Sequence, residues 1–140
     1  MKIAILGTRG IPARYGGFET LAEELSARLA GRGHDVTVYT RSRYAEPGRS
    51  EWRGARIRVL PAVPTKHLDT VSHTFLSSLH AAVEGFDSAL VCNAINAPFC
   101  LPLKTSGARV ILNVDGIERR RRKWSAAGRV AYRVSEVLSL

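Results

Sequence analysis

Short apolar runs that alternate with helix-period segments constrain the fold of this chain more than any other feature. The apolar runs are short enough to be buried strands and lie at 3–6, 36–39, 88–92 and 110–112, and an alternating run at 56–60 predicts a further strand. Apolar residues at helical spacing predict helices at 18–29 and 68–83. A further short helix is expected at 97–105, with Pro98 near its start. This alternation predicts an α/β fold with a largely parallel, doubly wound sheet and helices on both faces.

The usual arrangement of five such strands is the order 3-2-1-4-5, which we expect here. That order places a crevice at the carboxyl ends of strands 1 and 4. The polar stretch 41–54 is predicted to be a loop, and 56–60 alternates as an edge strand with one wet face would. Apolar positions from 130 to 138 predict a final helix that is still running at Leu140.

Length and composition exclude several classes of protein. A chain of 140 residues suits a single domain. It lacks the run of about 18 apolar residues that a membrane helix needs. Its two cysteines, Cys92 and Cys100, are too few for a disulfide scaffold and lack zinc-ligand spacing, so we expect them to be ordinary cytosolic thiols.

The positive charge is concentrated near the end of the chain. The net charge is +9, and residues 105–140 alone hold 8 basic and 3 acidic residues. Their centre is the run Arg119, Arg120, Arg121, Arg122 and Lys123, followed by Trp124. Such a run suits an anionic membrane surface, with the aromatic ring at the interface, and equally suits nucleic-acid phosphates. A solvated helix start, or a contact with a further domain, is the simpler explanation.

A long glycine-containing loop between strand 1 and the first helix is the first candidate ligand site. It spans 7–18, holds four glycines and leads into a helix start, whose free N–H groups favour an anion. Arg9 and Arg14 add positive charge to it. The glycine spacing differs from the nicotinamide fingerprint, and strand 2 ends in Thr40 and Arg41 rather than an acid.

Polar side chains follow strands 4 and 5, which the predicted order places beside that loop. Asn93 and Asn96 follow strand 4, and their amides could bind sugar hydroxyls or phosphate, or could form turns and caps. Asn113, Asp115 and Glu118 follow strand 5, where a carboxylate suits acid/base work, hydroxyl binding or an Asp-Gly turn. The histidines His73 and His80 share one helix face and are predicted to be satisfied structural groups.

Several longer motifs resemble a known enzyme family. They are Pro12-x-x-x-Gly16-Gly17-Phe18-Glu19, Leu21-Ala22-x-x-Leu25, Gly33 to Tyr39, Thr65 to Thr70, Cys92-Asn93-Ala94-x-Asn96-Ala97-Pro98 and Leu112 to Glu118. Together they are similar to the amino-terminal domain of a GT-B glycosyltransferase of family 4, and most similar to its bacterial rhamnosyltransferase-like branch. The similarity covers essentially the whole chain.

The resemblance implies a Rossmann-like first half of a GT-B architecture, with residues 1–140 as the acceptor-side domain and the donor-binding domain outside this chain. It implies a retaining transfer that needs no metal ion or other cofactor. Gly16 and Gly17, with Arg9 and Arg14, would approach the diphosphate of a nucleotide-sugar. Many relatives place a histidine where this chain has Asp115, which makes Asp115 the candidate catalytic residue, either as a base or as a hydrogen-bonding partner of sugar or acceptor. The candidate acceptor-binding residues are Lys66, His67, Asp69, Asn93, Asn96, Asn113 and Glu118.

We therefore expect part of a cytoplasmic hexosyltransferase, with rhamnosyl as one candidate group, that acts on a lipid-linked or saccharide acceptor in surface-polysaccharide synthesis. The basic run would hold it peripherally at the inner face of the membrane, and this domain alone would be inactive. The alternatives are a nucleotide-dependent oxidoreductase domain and a basic nucleic-acid-binding module, the latter disfavoured because no recognition-helix signature accompanies the run.

Overall fold

A computed structural model of the protein describes residues 1–14, 16–66 and 68–114. Within these residues the chain forms six strands and three α-helices. In chain order they are β1 (Lys2–Leu6), α1 (Gly17–Gly31), β2 (Asp35–Arg41), β3 (Glu51–Trp52), β4 (Ala55–Leu60), α2 (Leu68–Glu84), β5 (Ser88–Cys92), α3 (Cys100–Thr105) and β6 (Arg109–Asn113). Short 3₁₀ helices occupy Ser42–Tyr44 and Ala94–Phe99.

The strands form one twisted sheet in the order β3-β4-β2-β1-β5-β6. All neighbours are parallel except the pair of β3 with β4. Without the two-residue β3, this is the predicted order 3-2-1-4-5, so the predicted α/β fold is confirmed. The order reverses between β1 and β5, and a crevice at their carboxyl ends follows from that reversal.

Each face of the sheet carries its own apolar core, because successive residues of a strand point to opposite faces. The face beneath α1 buries Ile5, Ile11, Ala22, Val36, Val38 and Ala55. The face beneath α2 and α3 buries Ala4, Leu6, Tyr39, Ala81, Phe86, Ala89, Val91, Cys100 and Leu103. The two helical layers therefore hold the strand ends in fixed positions relative to one another.

Two details differ from the sequence prediction. The stretch 41–54 is not wholly a loop, because β3 pairs antiparallel with β4 through Glu51–Arg56 and Trp52–Ala55. Residues 55–60 are consequently not an edge strand. A strand of two residues has too few positions to show a hydrophobic period, which explains why the sequence pattern did not reveal it.

The second helix exists as predicted, but its apolar stripe does not face the sheet. The side turned inward carries small and polar residues: His73, Thr74, Ser77, Ser78 and Ala81. Phe75 and Leu79 are exposed, and Val83 is 89% exposed. Small inward side chains let the helix backbone approach the sheet closely. The predicted final helix at 130–138 lies outside the described residues.

Candidate functional site

The three predicted ligand segments converge, as far as they are described, at one edge of the sheet. Gly7 follows β1, and a Cβ there would collide with the Cys92 backbone oxygen and lie 2.9 Å from Asn96 Nδ2. The Asn93 N–H donates to the Asn113 oxygen at 2.9 Å, which joins the ends of β5 and β6. The backbone after β1, β5 and β6 thus forms a continuous rim.

The first half of the glycine loop is fastened from within. The Arg9 N–H donates to Glu19 Oε1 at 2.9 Å, and the Ala13 N–H donates to Glu23 Oε2. The Gly10 N–H donates to Thr8 Oγ1 at 3.1 Å. Since these amides already have acceptors within the protein, they are not available to an anion. The carboxylates of α1 supply the anions that this half of the loop binds.

The second half of the loop, at the start of α1, is open. Gly16 is the N-cap with φ +81°, and no side chain caps the helix. A Cβ at Gly16 would lie 2.7 Å from Glu19 Oε2, so both its backbone and its surroundings require glycine. Gly17 has neither requirement: its φ is not positive, and a Cβ there would meet no described atom within 4 Å. The first N–H groups of a helix have no partner inside the helix, so they are available to an anion.

A buried polar group of Arg41, Asp69, Thr70 and His73, here named the rim cluster, lies beside the loop. The Arg41 N–H donates to the Arg9 oxygen at 3.1 Å, which places the end of β2 against residue 9. Arg41 Nη1 pairs with Asp69 Oδ2 at 2.5 Å, and Nη2 donates to Thr70 Oγ1 at 3.1 Å. The Arg41 and Asp69 side chains are only 5% and 14% exposed. The pair joins β2 to the first turn of α2.

The rim cluster contains polar atoms that its own residues do not satisfy. Arg41 Nε and Asp69 Oδ1 are buried, and no described group bonds to them, whereas the ring of His73 meets the Thr40 backbone. Burial and the charge of Arg41 lower the pKa of His73 to about 4, against the opposing effects of the Thr40 backbone and Asp69, so its imidazole is neutral at neutral pH. A neutral imidazole both donates and accepts. Unpaired groups of this kind suit a hydroxyl-bearing ligand or an ordered water.

The other predicted site residues occupy varied environments. Arg9 is half-buried, with its guanidinium 5.5 Å from the centre of the Tyr44 ring, and exposed Arg14 pairs with Glu46 at 2.8 Å. Lys66 is exposed just before α2. Asn93 accepts a bond from the Ile95 N–H, and half-buried Asn113 ends β6.

Asn96 lies beneath the rim rather than on it. Its side chain is fully buried, and its Nδ2 donates to the Cys92 oxygen at 2.7 Å. Its Oδ1 is buried without a described partner. The side chain therefore fastens the 3₁₀ helix to β5 and leaves one acceptor unused.

Several predicted residues lie outside the described part of the chain. These are His67, Asp115, Glu118 and the basic run with its tryptophan, Arg119, Arg120, Arg121, Arg122, Lys123 and Trp124. Within 1–14, 16–66 and 68–114, no helix has the length and apolar character needed to cross a bilayer, and no three potential metal ligands cluster.

Sequence reasoning overlooked three groups of this edge. These are Arg41, His73 and Glu19, which no local sequence pattern identifies as parts of one buried polar network. The sequence pattern does not reveal these groups because each contact joins residues that are distant in sequence. Arg41 and Asp69, for example, are 28 positions apart. The capping-like spacing of Gly16 and Glu19 is the one local pattern that pointed to such a role.

The strand order and the helices on both faces define a Rossmann-like α/β domain of the kind that forms half of a GT-B enzyme. Residues 16–140 match the family described as the glycosyl transferase 4-like domain, and the chain belongs to that family. The match covers the open part of the glycine loop and every element after it. No curated protein matches the chain.

Proposed function

We propose that this domain forms the acceptor side of a glycosyltransferase that moves a hexosyl group, rhamnosyl being our first candidate, from a nucleotide-sugar to a lipid-linked or saccharide acceptor. The membership in a glycosyltransferase family supports sugar donor and acceptor substrates in general. Surface-polysaccharide synthesis is the process in which we place the reaction. We further propose that the transfer proceeds without a metal ion, which an assay in the presence of EDTA would test.

Gly17 is the observation that carries the donor side of this proposal. Neither backbone conformation nor neighbouring atoms explain a glycine in the first turn of α1. A glycine there costs helix stability relative to alanine, by about 1 kcal/mol. Close approach of a diphosphate to the free N–H groups of the turn gives the residue a function, since a side chain would hold the anion away.

The rim cluster is the proposed acceptor side. Its unsatisfied atoms are enclosed, so the partly exposed Asp69 carboxylate and Thr70 hydroxyl are the groups that we propose to meet a sugar hydroxyl. The cluster contacts residue 9 of the glycine loop through the Arg41 backbone. An acceptor hydroxyl bound there would lie on the same edge of the sheet as the donor diphosphate. We propose Asp115, two residues after the end of β6 in the sequence, as the catalytic residue.

The basic run is proposed to hold the enzyme on anionic lipid. Five consecutive cations beside Trp124 would contribute roughly 1 kcal/mol each at an acidic surface. Sedimentation with vesicles of phosphatidylglycerol and of phosphatidylcholine tests this role. We expect binding to the anionic vesicles alone, lost when Arg120, Arg121 and Arg122 become glutamine. Equal binding to both vesicles, or none, would contradict it.

Substitution of two matched glycines tests the donor site. Gly17 and Gly31 lie at opposite ends of α1, and neither has a positive φ or a described neighbour near its Cβ position. Gly17→Ala and Gly31→Ala should both fold. We expect Gly17→Ala to weaken the binding of UDP and dTDP, measured by calorimetry, by at least about tenfold, since charged hydrogen bonds contribute about 1.5–3 kcal/mol.

Gly31→Ala should bind these nucleotides as the unsubstituted chain does. Equal nucleotide affinity of the two variants would contradict the proposal of a donor site at the start of α1. A parallel titration with NADH and NADPH addresses the oxidoreductase alternative. Arg41 is buried and paired with Asp69, so it is not free to bind the 2′-phosphate of NADPH. We expect no saturable response.

A further inference from the structure

The outer side of α2 carries an apolar stripe without charges. No Asp, Glu, Lys or Arg stands between Asp69 and Glu84. By helical spacing, five apolar side chains and one serine share the side of the helix that is turned away from the sheet. They are Leu68, Ser72, Phe75, Leu76, Leu79 and Val83. Each of the five apolar side chains is at least 40% exposed.

Neighbouring side chains extend this stripe on both sides of the helix. The Phe75 ring packs edge-on against Phe99, with the ring centres 5.9 Å apart. The Ser72 hydroxyl accepts a hydrogen bond from the N–H of Val63, whose side chain is also exposed. Monomeric proteins rarely expose so large a group of adjoining apolar side chains, so this surface indicates an interface.

The spacing of the six positions is symmetric. The steps between them are four, three, one, three and four residues, which read the same in either direction. Two copies of α2 that run antiparallel therefore bring Leu68 of each copy opposite Val83 of the other, and Phe75 opposite Leu76. A contact between identical surfaces about a twofold axis requires self-complementarity of this kind.

The two ends of the stripe carry opposite charges. Exposed Lys66 precedes Leu68, and Glu84, the last residue of α2, has a half-exposed carboxylate. In the antiparallel pair each Lys66 comes to the end of the second helix that carries Glu84. Lys2 already lies 3.5 Å from that carboxylate, so this contact contributes little energy, but it favours the antiparallel direction. The same carboxylate disfavours an anionic bilayer as the occupant of the stripe.

We propose that two copies of this chain associate through α2, antiparallel and about a twofold axis that passes beside Phe75 and Leu76. The contact buries the stripe of both copies at the usual helix separation of about 8–10 Å. The stripe faces outward, whereas Asp69 pairs with Arg41 of β2. The interface is therefore independent of the sugar-transfer function proposed above.

Sedimentation equilibrium of the 140-residue chain measures this association. We expect an average mass that rises with concentration from that of one chain toward that of two. Leu79→Glu places a charge opposite Ser72 of the second copy, twice in each dimer, and should weaken the association by at least about a hundredfold. Ile111→Glu makes the same change at an exposed apolar residue of β6, outside the stripe, and should leave the association unchanged.

Disulfide cross-linking tests the direction of the helices. Leu76 lies beside the proposed axis, whereas the two copies of Val83 would lie about 22 Å apart along the helices. Leu76→Cys should therefore form a disulfide-linked dimer on oxidation, and Val83→Cys, although more exposed, should not. The native Cys92 and Cys100 are buried.

Four results would overturn the proposal. The mass of a single chain at every concentration would mean that something other than a second copy covers the stripe, and sedimentation of that chain with phosphatidylcholine vesicles would identify lipid as the occupant. Equal effects of Leu79→Glu and Ile111→Glu would place the contact elsewhere. Linkage of both cysteine variants would mean a parallel pair, and linkage of neither would mean that α2 does not meet its copy.

Discussion

Gly7 and Gly33 share a backbone conformation but differ in what surrounds them. Their φ angles are +85° and +87°, a region that side chains other than glycine adopt at a cost. Gly33 is surrounded by open space in the described structure, whereas a Cβ at Gly7 would collide with the Cys92 backbone oxygen. The difference between these residues isolates the effect of crowding at the rim.

We expect Gly33→Ala to lower the free energy of unfolding by about 1–2 kcal/mol, the cost of the left-handed conformation alone. Gly7→Ala should cost at least about 2 kcal/mol more, because the Cys92 backbone cannot move without disturbing β5. Urea denaturation of both variants measures the difference. Equal destabilisation would show that the rim relaxes around a side chain.

The glycines of the loop were predicted from the sequence as a group, but the structure divides them by cause. Gly7 and Gly10 are required by close internal packing, against Cys92 and Thr40. Gly16 is required by its φ and by Glu19, and Gly17 by neither. A sequence shows that a residue lacks a side chain and does not show which neighbour would occupy that space, so this division could not be predicted.

At the scale of elements, the pair of Arg41 and Asp69 connects β2 to α2. Asp69→Asn keeps the shape of the side chain and leaves the buried guanidinium without a counter-charge. We expect a loss of roughly 3 kcal/mol in the free energy of unfolding. Asp35→Asn, which removes one half of the exposed pair with Arg56, should change it by no more than about 0.5 kcal/mol. If urea denaturation gives similar values for both, the buried pair does not join the elements.

His73, on the buried side of α2, should make the stability depend on pH. Its folded pKa is about 4 against 6.5 for the free side chain, because burial and Arg41 disfavour the cation. As the pH falls through 6.5 the unfolded chain takes up a proton that the folded chain does not. This contribution to stability is therefore complete above pH 6.5, decreases toward pH 4 and is level below it.

The chain should lose about 2 kcal/mol of stability through this residue between pH 7 and pH 5. His73→Gln, which does not titrate, should lack that part of the loss, so its stability should approach that of the unsubstituted chain as the pH falls. Denaturant unfolding at both pH values measures the two changes. Parallel pH dependence of the two proteins would show that His73 titrates normally in the fold.

The sequence predicted α2 but not its orientation. Apolar residues at helical spacing normally mark the buried side, yet Phe75, Leu79 and Val83 are exposed and His73 and Ser77 are buried. Which side of α2 faces the sheet depends on how closely the helix approaches the sheet and on the pairing of Asp69 with Arg41. Both are tertiary contacts that helix periodicity cannot express.

At the scale of the whole molecule, the strand order could be predicted because it depends on alternation alone. Five strands with mostly helical connections allow few right-handed arrangements, and the sheet adopts the expected one. The meeting of the segments after β1, β5 and β6 follows from the same topology. The rim cluster could not be predicted, because the order of elements does not determine which side chains of β2 and α2 face one another.

The two cysteines offer a measure of whether this fold unfolds as one unit. Cys92 is fully buried in β5 and Cys100 is buried in α3, which packs on the sheet from one side. Burial is the main cause that raises the pKa of both thiols, that of Cys92 to about 12, so the reactive thiolate is scarce in the folded state. Labelling by a thiol reagent therefore requires the structure around each cysteine to open.

We expect both thiols to react with the same opening free energy and the same urea dependence as global unfolding, because α3 and β5 share one apolar core. The single-cysteine variants Cys92→Ala and Cys100→Ala assign the two rates. Faster labelling of Cys100 with a shallow urea dependence would mean that α3 opens alone. In that case the six residues of α3 would be a locally unstable cover of the sheet. The 3₁₀ helix that precedes α3, with Asn96 beneath the rim, would be open to the same motion.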